Sequence, residues 1–210
     1  MPTLDDISSY RIQPNPSDPR LSRVITGVDQ HGQPTKTSVI EERPLTIYLN
    51  AQEIVTAMTI GDYPEYLAVG FLKNQGMLKP DDVIEMVEYD DELDVVVVRT
   101  ERESNYEEKL SKKTRTSGCA VGTVFGDMME GVDQVSLAAT PVHTSWIYRL
   151  SHLINRTPSL YLETGAIHGT VLCEKDQPLI YMEDVGRHNA VDKISGWMHL
   201  EQVTPDHKIM

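Results

Sequence analysis

The sequence predicts an α/β protein in which a strand-rich N-terminal lobe precedes an α/β core segment. Three observations carry that expectation. Between Arg23 and Ile60 the chain runs through short β-branched segments, "RVITGV", "TSVIEE", "LTIYLN" and "IVTAMTI", broken by "DQHGQPT", Pro44 and "AQE". In the second half, helix-period and strand-period segments alternate, the pattern of helices laid on a sheet. The 210 residues, 40% of them hydrophobic, suffice for one sizeable core or for one domain carrying a smaller lobe.

Taken in order, residues 1–22 hold Pro2, Pro14, Pro16 and Pro19 among Asp, Ser and Asn. Such a composition cannot repay its ordering entropy by burial, so a flexible arm is expected. Residues 23–110 form the strand-rich lobe. Its helix is "GDYPEYLAVGFLKNQGML", with Asp62 at the N-cap, Pro64 in the first turn, Leu67 and Phe71 on one face, and Gly76 beyond the end. "DDVIEMVEYD" and "LDVVVVRTE" follow as strands. The second is apolar from Val95 to Val98, which predicts burial on both faces. Residues 111–210 form the α/β core segment. "TSWIYRLSHLINRT" reads as an amphipathic helix with Ile147, Leu150 and Ile154 inward. Strands "HGTVLCE" and "PLIYMEDV" and a closing helix "RHNAVDKISGWMHLEQ" complete the chain.

Charge narrows the function. With 19 basic against 32 acidic residues, the net charge of -13 argues against general affinity for nucleic acid or anionic membranes, which need a positive footprint. Two cysteines without a secretory leader pattern point to a reducing cytoplasm, and no apolar run is long enough to span a bilayer.

Cys119 sits in "KKTRTSGCAVGT", behind Lys112, Lys113, Arg115 and Gly118. Positive charge favours the thiolate, and a glycine lets backbone amides approach the sulfur. The competing reading is a small buried residue capping a turn. Basic charge beside a thiol in so acidic a chain, with glycines at 118, 122 and 126, favours a reactive loop. Cys173 ends an apolar strand and reads as structural. The two cysteines form neither a CxxC pair nor a zinc-binding pattern, so no structural metal is expected.

A second group lies in "MEDVGRHNAVDK": two carboxylates end a strand, Gly186 turns the chain, and Arg187, His188 and Asn189 open a helix. Helix N-termini attract anions, and an arginine there adds a bidentate donor for phosphate or carboxylate. Along that helix His188, Asp192, Ser195 and His199 form a polar stripe opposite Ala190, Ile194 and Trp197, either a solvated face or part of a ligand site. His168, in "ETGAIHGT", is a third candidate, or a hydrogen-bonded core residue.

"EERPLTIYLN", "GDYPEYLAVGFLKNQGML", "RTSGCAVG", "TGAIHGTVL" and "EDVGRHNAVDKISGW", in that order, resemble the formate dehydrogenase accessory sulfur-carrier proteins, the FdhD family. The resemblance covers roughly Glu41 to Trp197 and implies a cytidine deaminase-like layered core. The deaminase zinc signature, H-x-E with P-C-x-x-C, is absent from this chain. It also implies that Cys119 takes sulfur as a persulfide from a cysteine desulfurase and passes it to the molybdenum bis(guanine dinucleotide) cofactor destined for the formate dehydrogenase catalytic subunit. Arg187, His188, Asn189, His168 and Arg115 would then contact that cofactor, a bound substrate, and the full-length protein would be a homodimer. A cofactor-binding chaperone that moves no sulfur is the alternative, and a hydrolase or deaminase on the same fold a more distant one. Two departures stand out: Gly122 replaces a second cysteine that many members carry, and the chain stops at Met210 where the family fold continues.

Overall fold

The computed structural model describes residues 10–79, 81–102 and 141–210, together with the backbone of two strands at 113–116 and 122–125. It is a mixed α/β structure with several small sheets and few helices. Its chain divides into two compact units. The first comprises Met1–Glu42, Thr140–Ala190 and Pro205–Met210, and the second Arg43–Ala139 and Val191–Thr204.

In the first unit, β1 (Ser22–Val28) and β2 (Pro34–Ile40) form an antiparallel pair closed at "DQHGQ", where Asp29 accepts backbone N–H bonds from His31 and Gln33. Both strands are largely exposed. A second sheet has the order β10-β9-β11, from β9 (His168–Glu174), β10 (Gln177–Asp184) and β11 (Lys208–Ile209), all antiparallel neighbours. Helix α2 (Thr144–Ile154) packs on β10, and the short helix α3 (Leu160–Thr164) packs on β2.

In the second unit the sheet order is β4-β3-β6-β5, built from β3 (Arg43–Leu49), β4 (Gln52–Thr59), β5 (Ile84–Asp90) and β6 (Val95–Thr100). Two antiparallel hairpins, β3–β4 and β5–β6, are joined by a parallel β3–β6 pairing. Helix α1 (Pro64–Asn74) provides the crossover between them and packs on β5 and β6. Leu45, Ile47 and Leu49 of β3, Val96 and Val98 of β6, and Leu67, Ala68 and Leu72 of α1 form one buried cluster. Strands β7 (Lys113–Thr116) and β8 (Gly122–Phe125) pair antiparallel. Helix α4 (Arg187–Leu200) runs across the division, with residues 187–190 counted in the first unit and 191–200 in the second.

Several sequence expectations change. The contiguous boundary expected at residue 110 is not where the contacts divide, because β1 and β2 group with the second-half elements through α3. Residues 10–12 of the expected arm are anchored. Arg11 N–H donates to the Leu179 carbonyl (2.8 Å), Tyr181 N–H to that of Ile12 (2.9 Å), and Tyr10 Oη lies 3.1 Å from Thr157 Oγ1. The free edge of β10 thus repays the ordering of this stretch with backbone bonds. In α2 the buried residues are Leu150 and Leu153, while Ile147 is 57% exposed. In β6 Val96 and Val98 are buried while Val95 and Val97 are half-buried, so its two faces are unequally covered.

Candidate functional site

Strand β10 ends in two adjacent carboxylates with no exposure to speak of, Glu183 at 2% and Asp184 at 0%. Each holds a different piece of backbone. Glu183 accepts N–H bonds from Leu160 (2.8 Å) and Tyr161 (2.9 Å), fixing the start of α3. Asp184 Oδ1 accepts the Gly186 N–H (3.1 Å) and the Asn189 Nδ2 amide (3.0 Å), fixing the turn into α4. A buried carboxylate is tolerable only when donors of this kind replace its water.

Within the stretch from Asp184 to Ala190, Arg187 and His188 are the exposed residues, whereas Asn189 is 6% exposed and Ala190 fully buried. His168, also exposed, is the cross-strand partner of Asp184 at the start of β9. At the next residue, Gly169, a Cβ would lie 2.6 Å from the Tyr181 ring, so any larger residue would displace that ring. His168 thus stands opposite the end of β10, and Arg187 and His188 follow that end by three and four residues, with Asn189 bonded to Asp184. An arginine and an imidazole opening a helix can bind an anionic group such as phosphate.

The polar stripe expected along α4 is not a solvated face. Asp192 is 7% exposed and accepts a bond from Asn74 Nδ2 (2.6 Å), whose Oδ1 accepts one from Ser195 Oγ (2.9 Å). Lys193 is fully buried and pairs with Asp62. That pairing also corrects the cap assigned to α1. Tyr63, left-handed at φ 48° and without a side-chain cap bond, occupies the N-cap position instead of Asp62. Sequence reading did not find the Lys193–Asp62 pair. Its signal was a lysine amid Ala190, Ile194 and Trp197, whose burial demands a partner.

Cys173 is 3% exposed, and burial pushes its thiol up to about 11, as expected of a structural cysteine. Cys119, between β7 and β8 in sequence, lies outside the described residues. Arg115 is in β7, opposite Thr123. Among the described residues no group of three or more His, Cys, Asp or Glu side chains is placed to hold a metal ion, and no helix is long and apolar enough to cross a membrane.

Comparison with known proteins agrees with these motifs. A sulfur carrier protein FdhD from Bacillus pumilus is 28% identical over 82% of this chain and 66% of its own length. Proteins of the same name from Listeria monocytogenes and Wolinella succinogenes are each 31% identical, over 78% and 82% of this chain and 64% and 60% of their own. The chain thus spans less than two thirds of these relatives. A crystal structure from Desulfotalea psychrophila, of a protein assigned as a formate dehydrogenase accessory protein, superposes with a TM-score of 0.67 at 24% identity. That match covers 90% of this chain and 72% of the other, and it establishes the likeness of fold. The FdhD/NarQ family model matches residues 40–210, and the chain belongs to that family.

Proposed function

We propose that the protein is a sulfur carrier required for formate dehydrogenase activity, a sulfurtransferase acting through a persulfide on Cys119. The observation that carries this reading is the family match across residues 40–210, which includes "RTSGC" with its cysteine behind Lys112, Lys113 and Arg115. In the reaction the Cys119 thiolate attacks the terminal sulfur of a desulfurase persulfide. A new S–S bond forms on Cys119 as the donor's S–S bond breaks, and the donor cysteine leaves as a thiolate. Nearby cations favour the attacking thiolate. Gly122 removes any relay to a second sulfur three residues on, and one cysteine suffices for this exchange.

The acceptor in this reading is the molybdenum bis(guanine dinucleotide) cofactor, with Arg187, His188 and His168 meeting its diphosphate. The exposure of these three, His168 opposite the end of β10 and the other two following that end in sequence, supports that role. The same reading gives the chain a cytidine deaminase-like core, a cytoplasmic location, and a cysteine desulfurase, the formate dehydrogenase catalytic subunit and a second copy of itself as partners.

The test is complementation of formate dehydrogenase activity in cells lacking their own family member. Wild type restores activity and Cys119→Ala does not. Activity with Cys119→Ala equal to wild type would instead make the protein a cofactor chaperone.

A further inference from the structure

We infer that Asp184 is a positioning residue that presents Arg187 and His188 to an anionic substrate group. The inference rests on the reading above, in which those two residues meet a diphosphate. A single oxygen, Asp184 Oδ1, receives the Gly186 N–H at 3.1 Å and the Asn189 side-chain amide at 3.0 Å. Those two donors bracket Arg187 and His188 in sequence, so one buried atom fixes both ends of the segment that carries the exposed cation and imidazole. The first helical bond, Ala190 N–H to the Gly186 carbonyl at 3.1 Å, closes the same turn.

Gly186 belongs to this device. A Cβ at that position would lie 3.1 Å from Asn189 Cγ and Nδ2, crowding the amide that folds back onto Asp184. The arrangement also reassigns Asn189, whose amide faces a buried carboxylate and whose contribution to substrate binding passes through the turn. Asp184 carries a charge of the wrong sign for an anion site. Two donors converging on one of its oxygens spread that charge into the turn, and the exposed positions are left to Arg187 and His188.

The experiment is a double-mutant cycle on the full chain, with guanosine diphosphate as the probe and calorimetry giving Kd. Arg187→Ala is expected to weaken binding about tenfold, and Asp184→Ala to weaken it by a similar factor through misplacement of the same side chain. If Asp184 acts through Arg187, the double variant binds within about twofold of Arg187→Ala alone, because the second change has nothing left to misplace. Asp184→Asn keeps an acceptor oxygen and recovers most of the affinity. Should Asp184→Ala fail to fold, the cycle is run with Asp184→Asn, whose smaller penalty must likewise vanish in the Arg187→Ala background. Penalties that multiply, or wild-type binding by Asp184→Ala, overturn the positioning role while leaving the diphosphate reading in place. Wild-type binding by Arg187→Ala overturns both.

Discussion

Replacing Gly70 or Gly196 by alanine probes a close backbone approach in the second unit, where α1 meets residues 191–200 of α4. A Cβ on Gly196 would lie 1.9 Å from the Tyr66 carbonyl oxygen, and one on Gly70 would lie 1.7 Å from that of Asp192. Ordinary contact begins at 3.4 Å, so the shortfalls are 1.5 and 1.7 Å. Both obstacles are backbone, and the helices themselves must move apart. Overpacking of this kind costs about 3 kcal/mol. The same movement weakens the Asn74–Asp192 and Asn74–Ser195 bonds, now 2.6 and 2.9 Å, at a further cost of about 1 kcal/mol. Alanine in a helix returns about 1 kcal/mol. Each single variant should therefore be destabilised by about 2–4 kcal/mol in urea unfolding, with an unchanged m-value. Stability equal to wild type, or higher as helix propensity alone would give, would refute the close crossing.

Glu183→Ala leaves the Leu160 and Tyr161 amides without their acceptor and should lose about 3 kcal/mol or more, with Glu183→Gln losing less, both read from urea unfolding. Cys173, with its thiol pushed up to about 11 by burial, should resist iodoacetamide in the folded protein at about pH 8 and react in urea, as mass spectrometry would show. Asp82 is held below the ordinary carboxylate range. Burial acts to raise it, but the Lys79 backbone N–H and the Arg102 guanidinium outweigh that. Its stabilisation is therefore complete above the unfolded carboxylate value of about 4 and is lost as pH falls toward the lower folded one. Asp82→Asn should flatten the acid loss of stability as pH falls below about 4.

Much of the strand map was legible, because period-2 runs bounded by Gly and Pro report local geometry. "RVITGV", "TSVIEE", "LTIYLN" and "IVTAMTI" became β1 to β4. Gly76 ends α1 as expected, at φ 68°. What stayed hidden depended on partners distant in sequence. Asp62 has the residue type of an N-cap, yet its carboxylate is drawn to Lys193, more than a hundred positions away. Asp192 and Ser195 have the spacing of a solvated stripe, and only the position of Asn74 shows them to be interior hydrogen-bonding groups. The motif "EDVGRHNAVDK" was visible as a unit. Its division into buried Glu183, Asp184, Asn189, Asp192 and Lys193 and exposed Arg187 and His188 was not, because all are polar and burial leaves no mark on composition.

In the proposed reaction Cys119 carries the sulfur. Intact-protein mass spectrometry after incubation with a cysteine desulfurase and L-cysteine tests it directly, on wild type and on Cys119→Ala. A persulfide on Cys119 adds one sulfur atom that dithiothreitol removes and that is absent from Cys119→Ala. No gain on wild type, or a gain that persists in the variant, would contradict it.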